Sequence, residues 1–301
     1  MVTQSNLTLE QTNIALKRKR VKSKVGRIFA LAFVYFFLIL MYAPLLYVTV
    51  FSFTDATVTG VWAGFSMKTY TTLFNFSSNL NAKRIWEAAG NTVMVAVLSG
   101  LIATILGTLG AIGIFYSRKK AWKTSLELVN QIPVVNAEIV TAVSLCILFV
   151  MFKRITGMER NLFTLLIGHT VLAIPYVVMS VEPKLEQMDP SLYEAAMDLG
   201  ATQTQALWKI VIPDVLPGIL SGFMLSVTLS LDDYVITAFT KPSSFNTIST
   251  YVDEAMRKGG LPIQLRAFTA LLFGLILVVM IAVAVRSKIK KSKQLFKKER
   301  V

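Results

Sequence analysis

The chain has 301 residues, of which 54% are hydrophobic and only 16% charged, with a mean hydropathy of +0.60. Soluble domains carry about a quarter charged residues, so a water-soluble globular protein is excluded. Thirty-one Lys and Arg against 17 Asp and Glu give a net charge of +14, whose meaning depends on where those charges sit. A single cysteine, Cys146, and a single histidine, His169, exclude an intrachain disulfide and leave no zinc constellation and no catalytic set built on histidine.

Residues 1–16 are polar and aperiodic, which predicts disorder. A basic run, 17–27, completes a tail over 1–27. Six apolar stretches follow at 28–53, 91–116, 129–152, 162–181, 215–239 and 267–285, each long enough to cross about 30 Å of hydrocarbon as a helix. The expected fold class is all-α, a polytopic membrane protein with six transmembrane helices. Stretch 28–53 follows basic residues, as the apolar part of a signal peptide would. It is too long for one and has no small-x-small cleavage pattern in its outer half, so it reads as a retained span. Residues 54–90 form a loop, 91–285 the core, and 286–301 a second basic tail.

The two tails and the segments after the second and fourth stretches hold 21 of the Lys and Arg, while the segments after the first, third and fifth hold 10. Short basic segments resist translocation, which predicts both termini in the cytoplasm and an extracytoplasmic loop at 54–90. The surplus positive charge therefore sets orientation and touches anionic lipid, and no nucleic-acid partner is expected. Trp62 and Trp86 then fall outside, Trp122 and Trp208 inside, as an aromatic belt would place them.

In the second stretch Gly100, Gly107, Gly110 and Gly113 favour close helix packing. The third holds Asn136 and Glu138; read as one continuous helix, it puts Glu138 roughly 13 Å deep at 1.5 Å per residue, in mid-membrane. Cys146 reads as a small buried apolar residue. In the fourth, His169 beside Gly168 reads as a hydrogen-bonded interhelical residue. Pro44 and Pro175 should kink their spans. In the fifth, Asp232 and Asp233 lie roughly 25 Å along, near the outer edge. They are about 100° apart around the helix, so one can line a passage while the other caps a loop or meets a lysine. Charges in hydrocarbon are costly and face a cavity or a partner. With Asn136 and Tyr234, the three carboxylates either form an acidic route for a cation or pair with basic groups of another span or subunit.

Between the fourth and fifth stretches, segment 182–214 reads as two short helices. Asp189 before Pro190 is an N-cap followed by proline at the first helical position. Leu192, Ala195, Ala196 and Leu199 form an apolar stripe, and Gly200 is placed to end the helix. Thr202 and Gln205 make a capping box for a second helix, which Pro213 should close. This hairpin either covers the end of the bundle or docks a partner. No G-x-x-x-x-G-K-[ST] loop occurs anywhere, so the chain has no ATPase of its own by that route. A self-sufficient six-span cation transporter or channel would explain the acidic residues but gives this hairpin no task.

The residues Glu194-Ala195-Ala196, then Gly200 after three intervening residues, then Ile210-Val211-Ile212-Pro213 after nine more, resemble the E-A-A-x-x-x-G-x(9)-I-x-L-P loop of bacterial binding-protein-dependent ABC importer permeases. Ile212 stands where leucine is usual, a volume-conserving change. The resemblance implies the type I (MetI-like) permease fold in the bacterial cell membrane. It also implies three partners: a second permease subunit, a homodimeric ABC ATPase and an extracytoplasmic solute-binding protein on the outer loops 54–90 and 240–266. The loop would dock into the ATPase, with Glu194 as the polar contact, Gly200 as the turn and Ala201 to Trp208 as neighbouring surface. ATP and Mg would be bound by that ATPase, with no cofactor in this chain and no enzymatic activity of its own.

Two further segments, Ser230-Leu231-Asp232-Asp233-Tyr234-Val235-Ile236-Thr237 and Ile132-Pro133-Val134-Val135-Asn136-Ala137-Glu138-Ile139-Val140, resemble the permeases of spermidine/putrescine importers, the PotC-like group. That resemblance implies a polyamine as solute; permeases for other small solutes share parts of these segments.

Overall fold

The computed structural model describes residues 28–298 apart from 59, 76–78, 118, 158 and 259, with backbone alone at 190, 283, 284 and 287–298. The tail expected over 1–27 lies outside the described residues. Every regular element among the described residues is helical: α1 (Ile28–Phe51), α2 (Lys68–Leu73), α3 (Leu80–Phe115), α4 (Lys120–Val135), α5 (Glu138–Thr156), α6 (Leu162–Gln187), α7 (Pro190–Asp198), α8 (Gln203–Ala206), α9 (Ile212–Asp232), α10 (Val235–Thr240), α11 (Ile248–Arg257) and α12 (Ile263–Lys298). A π turn, Leu207–Val211, joins α8 to α9. Six of the helical stretches are long and apolar enough to cross a membrane.

The chain divides into two compact units, one of residues 1–79 and 262–301, the other of 80–261. In the first, α1 is an apolar helix exposed from Ile28 to Tyr47 among the described residues. Its C-terminal end runs into a loop fixed by short polar contacts. The Ser52 and Tyr70 hydroxyls are 2.6 Å apart, the Ser66 amide donates to the Phe53 carbonyl at 2.7 Å, and Phe53 stacks on Phe65. From α12, the buried Arg266 guanidinium donates to the Ala56 and Thr57 carbonyls, both at 3.0 Å.

The second unit is built on α3, α6 and α9, which pack on one another through small residues. Val177 of α6 is the point of closest approach. A Cβ on Gly107 of α3 would stand 2.7 Å from its Cβ, and one on Gly222 of α9 would stand 3.1 Å from its Cα. Glycine is required at both positions because any side chain would separate the backbones. Gly100 is equally crowded, against Val227, whereas a Cβ at Gly113 would meet open space. The packing expected of all four glycines thus applies to only part of the row.

Two expected spans are interrupted. The stretch at 129–152 is two helices, α4 and α5, separated at Asn136 and Ala137, both extended. Pro133 has no N–H for the ladder of α4, and the helix ends two residues after it. The stretch at 215–239 breaks at Asp233 and Tyr234, and α10 resumes the path. Elsewhere the helices outrun their apolar stretches: α3 starts at Leu80, inside the segment expected as a loop over 54–90, and α6 continues to Gln187. Capping explains where α6 begins. Asn161 Oδ1 accepts the Phe163 and Thr164 amides at 2.9 and 3.2 Å, and Thr164 Oγ1 accepts the Asn161 amide at 3.1 Å.

Candidate functional site

The two interruptions face each other across one cavity of about 360 Å³. The first break supplies Pro133, Val134, Asn136 and Glu138, α6 supplies Leu172 and Tyr176, and the second break supplies Thr228, Asp232, Asp233 and Tyr234. Among the described residues no lysine or arginine lines it. All five residues expected along a passage, Asn136, Glu138, Asp232, Asp233 and Tyr234, are therefore neighbours.

Asp232 and Asp233 share the cavity with Glu138, beside Leu172 and Tyr176 in the middle of α6. Depths counted along continuous helices do not carry over, because the helix that holds Asp232 is already under way at Gln203 and α10 resumes beyond the break.

The paired aspartates have different tasks. The Asp233 side chain is fully buried, and its carboxylate caps α10. Oδ1 accepts the Ile236 amide at 3.0 Å, while Oδ2 accepts the Thr237 amide at 2.8 Å and the Thr237 hydroxyl at 2.7 Å. A carboxylate over the first amides of a helix is held both by these bonds and by the helix dipole. Asp232, one residue earlier, is exposed at the cavity, and so is Glu138, which approaches Asp233 across it. Within this chain Asp233 is satisfied by backbone, hydroxyl and imidazole groups, with no lysine or arginine partner among the described residues.

Behind Asp233 runs a buried polar chain. His169 Nε2 lies 2.9 Å from Thr237 Oγ1, and its Nδ1 lies 2.8 Å from Ser230 Oγ, which in turn is 3.3 Å from Ser99 Oγ. The Thr237 hydroxyl donates to Asp233 and so accepts from His169. That places the imidazole proton on Nε2 and leaves Nδ1 to accept from Ser230. His169 is thus hydrogen-bonded between helices, as its place beside Gly168 suggested.

The second candidate site is the hairpin over 182–214. Asp189 Oδ1 accepts the Ser191 amide at 2.9 Å, which holds this exposed carboxyl below the usual carboxylate range. At the other end of α7, Gly200 has φ +84°; its amide bonds the Met197 carbonyl, and the Ala201 amide reaches the Ala196 carbonyl. These two bonds form a Schellman motif, which needs the left-handed residue that glycine supplies. Thr202 and Gln205 close a capping box. Pro213, however, does not close the second helix. It lies in the first turn of α9, and the π turn carries the ladder past it: the Ile212 amide bonds the Leu207 carbonyl, five residues back, just before the proline that has no N–H to give.

The hairpin has an anchored side and an open side. Met188 and Val211 are buried in the cluster that holds α3, α6 and α9, with Tyr193, Leu207 and Ile212 packed against it. Ala201 and Ile210 are half-buried. Glu194 and Ala195 are exposed, Ala196 is half-buried, and the apolar Leu199 and Trp208 are 89% and 63% exposed. Of the apolar stripe of α7, Leu192, Ala195 and Leu199 are uncovered among the described residues.

Sequence reasoning missed Tyr176 and Thr228 as cavity residues, because nothing local marks which face of α6 or α9 meets a distant break. It also missed the breaks, although each had a signal: Pro133 shortly before Asn136, and an aspartate directly before the short apolar run that starts α10.

Comparison with known proteins follows the same lines. The family described as "Binding-protein-dependent transport system inner membrane component" matches residues 13–288. The chain is 31% identical over 236 residues to the putrescine transport system permease protein PotI of Escherichia coli (strain K12), covering 78% of this chain and 82% of that one. It is 31% identical over 258 residues to the spermidine/putrescine transport system permease protein PotC of the same strain, covering 86% and 93%. Among solved structures, a chain of a bacterial ABC transporter importing the acidic polysaccharide alginate superposes with a TM-score of 0.61 at 15% identity, covering 88% of this chain and 96% of that one. A chain of the MetNI methionine ABC transporter gives 0.52 at 20% identity, covering 67% and 94%. At these identities the structural likeness establishes the fold, the type I importer permease arrangement.

Proposed function

Because this chain belongs to the family of binding-protein-dependent transport system inner membrane components, we propose that it is a permease subunit that passes a polyamine, putrescine or spermidine, from an extracytoplasmic binding protein into the cytoplasm. Supporting this solute are the names of the relatives PotI and PotC. The observation that carries it is the cavity, with Glu138 and Asp232 exposed, Tyr176 and Tyr234 beside them and no basic residue among its described lining. A flexible molecule with several ammonium groups is matched there by carboxylates for its charges and aromatic faces for its methylenes and ammonium groups. An anion finds no cationic group among the described lining.

In this reading the chain works with a second permease subunit and a homodimeric ATPase that binds ATP and Mg, and this chain transforms nothing covalently. The hairpin is the coupling element. Its exposed Glu194, Ala195, Leu199 and Trp208 face the ATPase, and its buried Met188 and Val211 tie any displacement to the packed α3, α6 and α9. A rigid link of this kind suits alternating access, because a packed cluster moves as a body. Both termini are cytoplasmic, by the distribution of Lys and Arg.

The test is reconstitution of the four-component complex in proteoliposomes, with labelled putrescine and spermidine in competition with amino acids and anions. ATP-dependent uptake displaced by polyamines alone is the expected result. Uptake by this chain alone, driven by an ion gradient, would overturn the coupling role, and displacement by a different solute class would overturn the polyamine assignment.

A further inference from the structure

The break between α9 and α10 is held from outside at two points: Ser249 of α11 donates to the Asp233 carbonyl at 2.8 Å, and one side chain of α6 bridges the two flanks. His169 of α6 is 1% exposed and uses both ring nitrogens: Nδ1 takes Ser230, three residues before Asp233 in the last turn of α9, and Nε2 takes Thr237, four residues after it in α10. The imidazole therefore bridges the interruption. Its neighbour completes the seat, since a Cβ on Gly168 would stand 2.8 Å from Ile236 and 3.1 Å from Thr240, so α10 lies directly on α6 at this point. Thr237 passes the contact on to Asp233 Oδ2 at 2.7 Å, and Ser230 passes it to Ser99 of α3 at 3.3 Å. One residue thus connects three helices and the half-helix that follows the break.

We propose that His169 is a positioning residue for transport: by clamping Ser230 and Thr237 on either side of the α9–α10 break, it fixes where Asp232 and Tyr234 stand in the cavity. This rests on the reading of the cavity as the solute passage. The Tyr234 carbonyl opens the ladder of α10 by accepting the Ala238 amide, and the Asp233 carbonyl accepts from Ser249 Oγ, so the angle between the two helices is set by the groups on the flanks of the break. Asp233 fixes the start of α10 but not the angle between α10 and α9. The imidazole supplies that second restraint because a single rigid ring measures the distance between the two flanking hydroxyls. Without it the hydroxyls find new partners, α10 remains a capped helix, and the exposed carboxylate and tyrosine lose their alignment with Glu138.

The experiment uses the complete complex in proteoliposomes with saturating solute-loaded binding protein, and reads solute translocated per ATP hydrolysed. Only the hydrolysis stimulated by the solute-loaded binding protein is counted, so a smaller amount of intact complex lowers uptake and hydrolysis together and leaves the ratio unchanged. His169→Phe, which keeps the ring and loses both bonds, is expected to lower the ratio about tenfold, a factor that corresponds to about one ordinary hydrogen bond of net strength. His169→Asn and His169→Gln, which retain the Ser230 or the Thr237 contact respectively, should recover part of it. Thr237→Val and Ser230→Ala provide the same test with the imidazole intact, and Thr237→Ser should behave as the parent. An unchanged ratio in His169→Phe, or in Thr237→Val together with Ser230→Ala if the former does not assemble, overturns the positioning role. Absence of polyamine uptake by the parent complex is a distinct result, which defeats the assignment of the passage instead.

Discussion

The hairpin over 182–214 and the cavity between the two broken spans are both made of helix ends, but they are stabilised on different length scales. Every end in the hairpin is closed by residues close in sequence: Asp189 by Ser191, Gly200 by Met197, Thr202 by Gln205. At the cavity, Asp233 also closes its own helix, but the break is bridged by His169, more than sixty residues away in sequence, and its backbone is bonded by Ser249 of α11. A locally closed element can present an uncovered apolar stripe to a partner without depending on the rest of the chain. A break inside a span has no water to satisfy its backbone, so it persists only where other helices supply the missing partners.

The sharpest break of this comparison is Gly200→Val. The position has φ +84° with open space around it, so the variant clashes with nothing in the chain but loses the Schellman turn. A left-handed β-branched residue costs at least about 1–2 kcal/mol. Insertion should be normal while uptake falls about tenfold or more and the ATPase fails to copurify. A variant with normal uptake and normal ATPase retention would show that the loop does not dock.

The next effect separates the two aspartates. Asp233→Ala leaves two buried amides and a hydroxyl unpaired at a cost of about 1–3 kcal/mol for each group, and should lower the amount of assembled complex and its thermal stability in detergent. Asp232→Ala, at an exposed carboxylate, should leave both unchanged and reduce polyamine uptake. Equal effects on assembly would erase the distinction between a capping and a solute-facing carboxylate.

Smaller still is Thr202→Ala. It removes a capping box worth about 1 kcal/mol and should weaken ATPase retention only a few-fold, because Ala206 and Val211 remain buried. The smallest effect is a pH dependence at Asp189. Its folded value is depressed by the Ser191 amide, so its contribution is complete above the ordinary carboxylate range and is lost as the pH falls through the depressed value. The Ser191 amide resonance in nanodiscs should move on acidification in the parent and stay still in Asp189→Asn.

Much of the cavity chemistry was legible without coordinates, since Glu138, Asp232 and Asp233 are the charges of otherwise uncharged apolar stretches. Their depth was not, because a rise per residue has meaning only along an unbroken helix. The contrast between Gly107 and Gly113 has the same origin. They stand six residues apart on α3, about 120° apart around the helix, and a Cβ at Gly107 strikes Val177 while one at Gly113 meets nothing; which of the two faces is covered depends on where α6 crosses.

By itself the sequence determined the membrane environment, the number of spans and the capped hairpin, because burial in lipid and helix capping are decided by residues close in the chain. Only the tertiary structure decided which aspartate is a cap and which faces the cavity, and that His169 is the clamp between them. Those roles depend on which groups from other helices come within about 3 Å, the reach of a hydrogen bond, and no local pattern specifies that.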